Sequence, residues 1–100
     1  MEVNVIKQNC EIVVTIVGRI DTVSSPQLEK SIQPYLSEIG ITLIFECEKL
    51  DYVSSSGLRV ILMAHKQISA KGGKFILRNL TPEVRSVIDL TGFSRIINIQ

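Results

Sequence analysis

The residues most suggestive of chemistry form one stretch: Asp51-Tyr52-Val53-Ser54-Ser55-Ser56-Gly57-Leu58-Arg59-Val60-Ile61-Leu62. It reads as a strand-to-helix loop with hydroxyls at the helix start. Three readings compete. The first is capping, since a serine ahead of a helix satisfies an orphan backbone N–H and contributes ~1 kcal/mol. One serine suffices for that, and the chain places three in a row. The second is a nucleophile, which needs a general base within hydrogen-bond reach. The only histidine, His65, follows on the same helix, and helical rise puts it ~13 Å from Ser56, beyond that reach. A Gly-x-Ser-x-Gly elbow is also absent. The third is an anion or phosphorylation site. A phosphate in the first turn meets free N–H groups and the positive end of the helix dipole, so the fold tolerates it. It also adds nearly two negative charges to an exposed loop, where they repel or block a docking partner. Gly57, without a side chain, is expected to leave the loop open on one side.

Several elements must position this loop. Val3 and Val5 alternate with Glu2, Asn4 and Ile6, and Glu11 to Val17 are rich in β-branched residues. With Gln8, Asn9 and Cys10 between them, a β-hairpin is predicted, ended by Gly18. Ser24-Ser25-Pro26 opens a helix with a capping serine and proline at its first position. Leu28, Ile32, Tyr35, Leu36 and Ile39 form its apolar stripe, and Gly40 ends it. Pro34 lies inside that helix, so a kink or a split near Gln33 is predicted. Ile41 to Cys47 are apolar at nearly every position, as in a strand covered on both faces. Glu48 to Val53 read as a connection. Leu58, Ile61, Leu62, His65 and Ile68 mark the helix after the serines, stopped by Gly72-Gly73. Lys74 to Arg78 form a further strand. Thr81-Pro82-Glu83 opens a helix with Val84, Val87 and Ile88 inward and Gly92 at its end. Ile96 to Ile99 supply a short last strand or a packed tail.

This order predicts an α/β fold. It is a single domain over residues 1–100: a mixed, mostly parallel sheet of four to five strands, an N-terminal hairpin, and three to four helices packed on it. A length of 100 residues fits one domain, and 45% apolar with 21% charged residues favours folding over disorder. Net charge is +1 with the signs interspersed, so neither nucleic acid nor an anionic membrane is an expected partner. Met1-Glu2-Val3-Asn4-Val5 has no secretory pattern, and no apolar run approaches the ~20 residues of a membrane span. A cytoplasmic location is therefore expected, with Cys10 and Cys47 as free thiols. Those cysteines and His65 lack metal-ligand spacing. No metal and no cofactor is expected.

At this point the chain resembles a family. Ser55-Ser56-Gly57-Leu58, preceded by an aromatic–aliphatic pair and followed by Val60-Ile61-Leu62, is similar to the signature of STAS-domain anti-sigma factor antagonists. Gly18-Arg19-Ile20-Asp21, Gly72-Gly73, Pro82-x-Val84 and Gly92-Phe93 fall in the family's order, so the resemblance covers essentially the whole chain. It departs in two places. Ser54 stands where many members have Asp, and Phe45-Glu46-Cys47-Glu48 replaces Leu-Asp-Leu-Ser, with Glu46 keeping the acid.

The resemblance implies a partner-switching cycle without catalysis by this chain. The unmodified antagonist binds an anti-sigma factor that is also a serine kinase, releasing the sigma factor. The kinase phosphorylates the serine before the glycine, and a metal-dependent serine phosphatase reverses this. Carried over, Ser56 is the modified residue and Ser55 its less favoured neighbour. The partner-binding surface is Asp21, Thr22, Ser54, Ser55, Ser56, Gly57, Leu58 and Arg59. Plain alternatives stand beside these: Asp21 as a near-cap acid, Arg59 as a solvated arginine. His65 is expected to be packed, and Tyr52 and Val53 to anchor the loop on the core. Two rival functions remain open. One is a constitutive STAS adaptor in a transport or signalling complex; the other is a small enzyme or ligand binder using the serine loop as an anion cradle.

Overall fold

Two positions where the backbone departs from regular geometry organise this molecule, Asn9 and Gly18. The computed structural model describes residues 1–100. Strands β1 (Glu2–Gln8) and β2 (Glu11–Ile20) pair antiparallel with Gln8 opposite Glu11. Asn9 turns the hairpin with φ 57, a left-handed conformation that asparagine tolerates better than most side chains. Along β2, Ile12, Val14 and Ile16 are fully buried, the period-2 pattern of a strand with one face on the core.

Gly18 was expected to end this strand. It bends it instead. Its φ is +99, and the pairing register shifts between Gly18 and Arg19. Glu11 to Thr15 pair in parallel with β3 (Thr42–Glu46), and Gly18 to Ile20, which span the shift, pair with β4 (Leu50–Val53). A bulge adds an unpaired residue and strengthens the local twist; here the extra residue is Asp51 of β4, which has no partner between Leu50 and Tyr52. The sequence predicts a connection over Glu48 to Val53; the structure places strand β4 there. Its four residues show buried ends, Leu50 and Val53, around the exposed pair Asp51 and Tyr52, so no alternation marks it as a strand.

The sheet runs β1-β2-β3-β5-β6, with β5 at Lys74–Arg78, β6 at Asn98–Ile99 and β4 beside the end of β2. Every pairing after the hairpin is parallel. Six strands form, because both β4 and the short tail pair. Helices α1 (Ser25–Ile32), α2 (Ser55–Ala70) and α3 (Pro82–Thr91) make the crossovers. α1 packs on β1, β2 and α2, α2 also on β4 and β5, and α3 on β4. One continuous cluster of buried side chains runs through β2 to β5 and the three helices, with Phe45 and Phe75 edge to face at 4.9 Å.

The split near Gln33 is found: α1 stops at Ile32, and Gln33–Tyr35 form a single 3-10 turn carrying Pro34. With the helix over, Leu36 still reaches the core but Ile39 is 81% exposed, so the stripe drawn through Ile39 was too long. On α2 the buried face is Gly57, Val60, Ile61, Ala64 and Ile68. Leu58, Leu62 and His65, expected inward, lie half-buried along its edges. Both cysteines are free; burial pushes the Cys47 thiol up to about 12, so it stays protonated at neutral pH. No helix is long and apolar enough to cross a membrane.

Candidate functional site

The C-terminal ends of β2 and β4 lie side by side, and both chains turn outward there. The Ser54 N–H donates to the Ile20 carbonyl at 2.8 Å. That bond fixes the start of the serine loop against the end of β2. Ser54 then caps α2: its backbone is extended, and its Oγ accepts from the Gly57 N–H at 3.2 Å. The capping reading of the loop is therefore realised, by Ser54.

Gly57 does something other than expected. It does not open the loop; it is buried. A Cβ placed there would lie 2.7 Å from Ile20 Cγ2 and 2.9 Å from Val53 Cγ1. Glycine thus lets the first turn of α2 press directly on the ends of β2 and β4. The close approach is what sets Ser56 opposite the β2–α1 loop.

Ser55 is exposed, while Ser56 is half-buried. Ser56 Oγ donates to Thr22 Oγ1 at 3.3 Å and accepts from Ser54 Oγ at 3.3 Å. Both contacts are long for O–H···O bonds and therefore weak. The hydroxyl is held in place without being consumed. As the first residues of α2, Ser55 and Ser56 also carry N–H groups with no intrahelical partner.

Asp21 builds the facing loop. Its Oδ1 accepts from the N–H groups of Val23 at 3.0 Å and Ser24 at 2.9 Å, and from Ser24 Oγ at 3.0 Å. Its carbonyl takes the Ser25 N–H and hydroxyl. Ser24, expected to cap α1, makes no side-chain cap bond; its Oγ instead binds back to Asp21 and to the Arg19 carbonyl. The Ser24 N–H and hydroxyl, followed by the Val23 N–H and Arg19, hold the Asp21 carboxyl below its ordinary range. It is anionic at neutral pH. The loop it shapes presents Thr22 toward Ser56 and leaves Val23 87% exposed.

The STAS-domain family model matches residues 2–100. The chain belongs to the STAS family of anti-sigma factor antagonists. It is 37% identical over 101 residues to the anti-sigma-B factor antagonist of Bacillus subtilis, covering 99% of this chain and 92% of that protein. Among solved structures it is similar in fold to an anti-sigma factor antagonist from Mycobacterium paratuberculosis. That match has TM-score 0.87 and 23% identity, over 98% of this chain and 83% of the other. It is also similar in fold to the Bacillus cell fate determinant SpoIIAA in its phosphorylated form, with TM-score 0.78 and 22% identity, over 99% and 91% of the two chains.

The polar contacts of Ser56 are those of a small hydroxyl cluster. Its Oγ touches two hydroxyls, neither of them a base. Glu46, the acid kept near the end of β3, serves another purpose in this STAS domain. It binds Arg78 Nε at 2.9 Å and Asn79 Nδ2 at 3.1 Å. Burial pushes its carboxyl up, but Arg78, Asn79 and the Glu48 N–H outweigh that and hold it below the ordinary value.

The structure brings together Asp21, Thr22, Ser54, Ser56 and Gly57, and Arg59 lines a shallow cleft with Thr22 and Ser56. Ser55 stands exposed at the mouth, and Leu58 packs partly against the core. Val53 anchors the loop as expected, being 4% exposed. Tyr52 does not: it is 42% exposed, and the Arg19 guanidinium lies 4.5 Å from its ring centroid. Arg19 and Val23 were missed as surface features of the site. An apolar residue off every helical stripe, inside a loop of polar residues, was the available signal for Val23.

Proposed function

We propose that this chain is an anti-sigma factor antagonist whose docking is ended by phosphorylation of Ser56. Its partner is an anti-sigma factor that is also a serine kinase, bound through Asp21, Thr22, Ser54, Ser55, Ser56, Gly57, Leu58 and Arg59. The kinase transfers the γ-phosphoryl group of ATP to Ser56 Oγ. The new O–P bond replaces the bond to ADP, and the hydroxyl proton leaves to a base on the kinase. A metal-dependent serine phosphatase restores the hydroxyl.

The observation that carries this reading is the pose of Ser56. Its Oγ sits at the junction of two loops, tied only by two 3.3 Å contacts, at the positive end of a sixteen-residue helix. The fold can accept a phosphate there, whereas a partner covering both loops cannot.

The test is intact mass and site mapping after incubation with ATP and the cognate anti-sigma factor. One phosphate at Ser56, absent from Ser56→Ala, together with loss of the complex, is the expected result. A complex that survives Ser56→Asp unchanged, or binding with no phosphate at all, would replace the switch by a constitutive STAS adaptor.

A further inference from the structure

One cleft on the surface holds opposite charges that no ion pair satisfies. It lies between α1 and the first turn of α2, with Thr22, Glu29, Ser56 and Arg59 among its walls. The ion pairs of the chain are Lys7–Glu38, Arg78–Glu46 and Arg85–Asp89. Arg59 and Glu29 belong to none of them, and both are exposed. The other arginine near the serine loop is differently placed. Arg19 is seated over Tyr52 and lines a separate hollow with Asp21 and Val23.

Arg59 follows Ser56 by three positions on α2. Positions i and i+3 of a helix are neighbours, with Cβ atoms ~5–6 Å apart. A guanidinium on that spacing can swing onto a phosphate at Ser56, and its planar fork suits phosphate oxygens. Glu29 faces the same space from α1 and repels such a group.

We infer that Arg59 is the internal partner of a phosphate on Ser56, with Glu29 opposing it. This rests on the reading of Ser56 as the modified residue. In the unmodified protein the guanidinium is free to meet a docking partner. In the phosphorylated protein it is withdrawn onto the phosphate. Modification then acts twice on the docking surface: it adds negative charge and removes an accessible cation.

The test uses full-length protein with phosphoserine installed at position 56 during translation, so that no kinase is required. Phosphorus NMR titration reads the second ionisation of the phosphate, ordinarily near about 6. The helix terminus acts equally in every variant, so differences isolate the side chains. Arg59→Gln is expected to raise this pKa by about half a unit or more relative to the parent, because it removes the nearby positive charge. Glu29→Gln is expected to lower it. Both substitutions are at exposed positions and leave folding intact. Equal values for the parent and Arg59→Gln overturn the inference. A kinase that fails to modify Ser56 overturns the functional reading instead, and leaves this titration readable.

Discussion

Two polar clusters lie at the C-terminal ends of the parallel strands, and they are built to opposite standards. At the ends of β3 and β5, Glu46 is gripped by Arg78 at 2.9 Å and by Asn79 at 3.1 Å, and its side chain is only 16% exposed. At the ends of β2 and β4, Ser56 has two hydroxyl contacts at 3.3 Å. Charge-assisted bonds are short and about twice as strong as neutral ones. One cluster therefore staples the sheet ends together, while the other leaves a hydroxyl only lightly bound. What holds the serine site in place is the packing beneath it and the backbone bond from Ser54 to Ile20, not bonds to the Ser56 hydroxyl.

That difference can be broken most severely from below. Gly57→Val would drive a branched side chain into Ile20 and Val53, where even a Cβ would come within 2.9 Å. Overpacking of this kind costs up to about 3 kcal/mol. Urea denaturation should show the loss. The complex with the anti-sigma factor should weaken even where the variant remains folded, because the α2 terminus is pushed away from Thr22.

The staple comes next. Glu46→Ala leaves Arg78 and Asn79 without their acceptor, and bonds to charged groups contribute about 2 kcal/mol. The pH dependence has a definite sign. The folded Glu46 carboxyl lies below its ordinary value of 4.5. Its contribution is therefore complete above that pH and fades as pH falls through the lower folded value. Acid unfolding of Glu46→Gln should accordingly be less steep below this point than that of the parent, with docking unaffected.

These two sites also mark what the amino-acid pattern reveals and what it conceals. The helices α2 and α3, the buried strands β3 and β5 and the break at Pro34 all follow from local signals: apolar periodicity, caps and a missing N–H. Ser56 and its neighbours stood out because hydroxyls beyond the capping need were concentrated there. β4 was illegible because its partner is the far end of β2, beyond the stretch that pairs with β3, and because Asp51 and Tyr52 break any alternation. The role of Gly57 was misread for the same reason. Its space is filled by Ile20 and Val53, residues that only the tertiary fold brings to it. Likewise, nothing local announces that Tyr52 lies under Arg19 and not in the core.

Within the serine cluster itself the hydroxyls divide by role, and a smaller effect tests the division. Ser54 accepts from the Gly57 N–H. Ser54→Ala should cost about 1 kcal/mol as a lost helix cap, visible as a lowered midpoint in urea. Ser54→Asp, which keeps a capping oxygen and restores the acid common in the family, should recover most of it.

The smallest change in stability belongs to the residue with the largest proposed role. Ser56 Oγ makes only long contacts to two hydroxyls, and neither partner is left deeply buried when it goes, since Thr22 is exposed and Ser54 half-buried. Ser56→Ala should therefore shift unfolding by less than about 0.5 kcal/mol. Ser56→Asp places an anion in the first turn of α2, where the helix dipole favours it by about 0.5 kcal/mol. It should be as stable as the parent or slightly more so. If so, failure of Ser56→Asp to bind the anti-sigma factor cannot be ascribed to unfolding. It would be a docking effect of charge alone, which is what a switch built on a stable scaffold requires. A Ser56→Asp variant destabilised by several times that amount would show the opposite: a hydroxyl on which the fold depends, and a poor place for reversible modification.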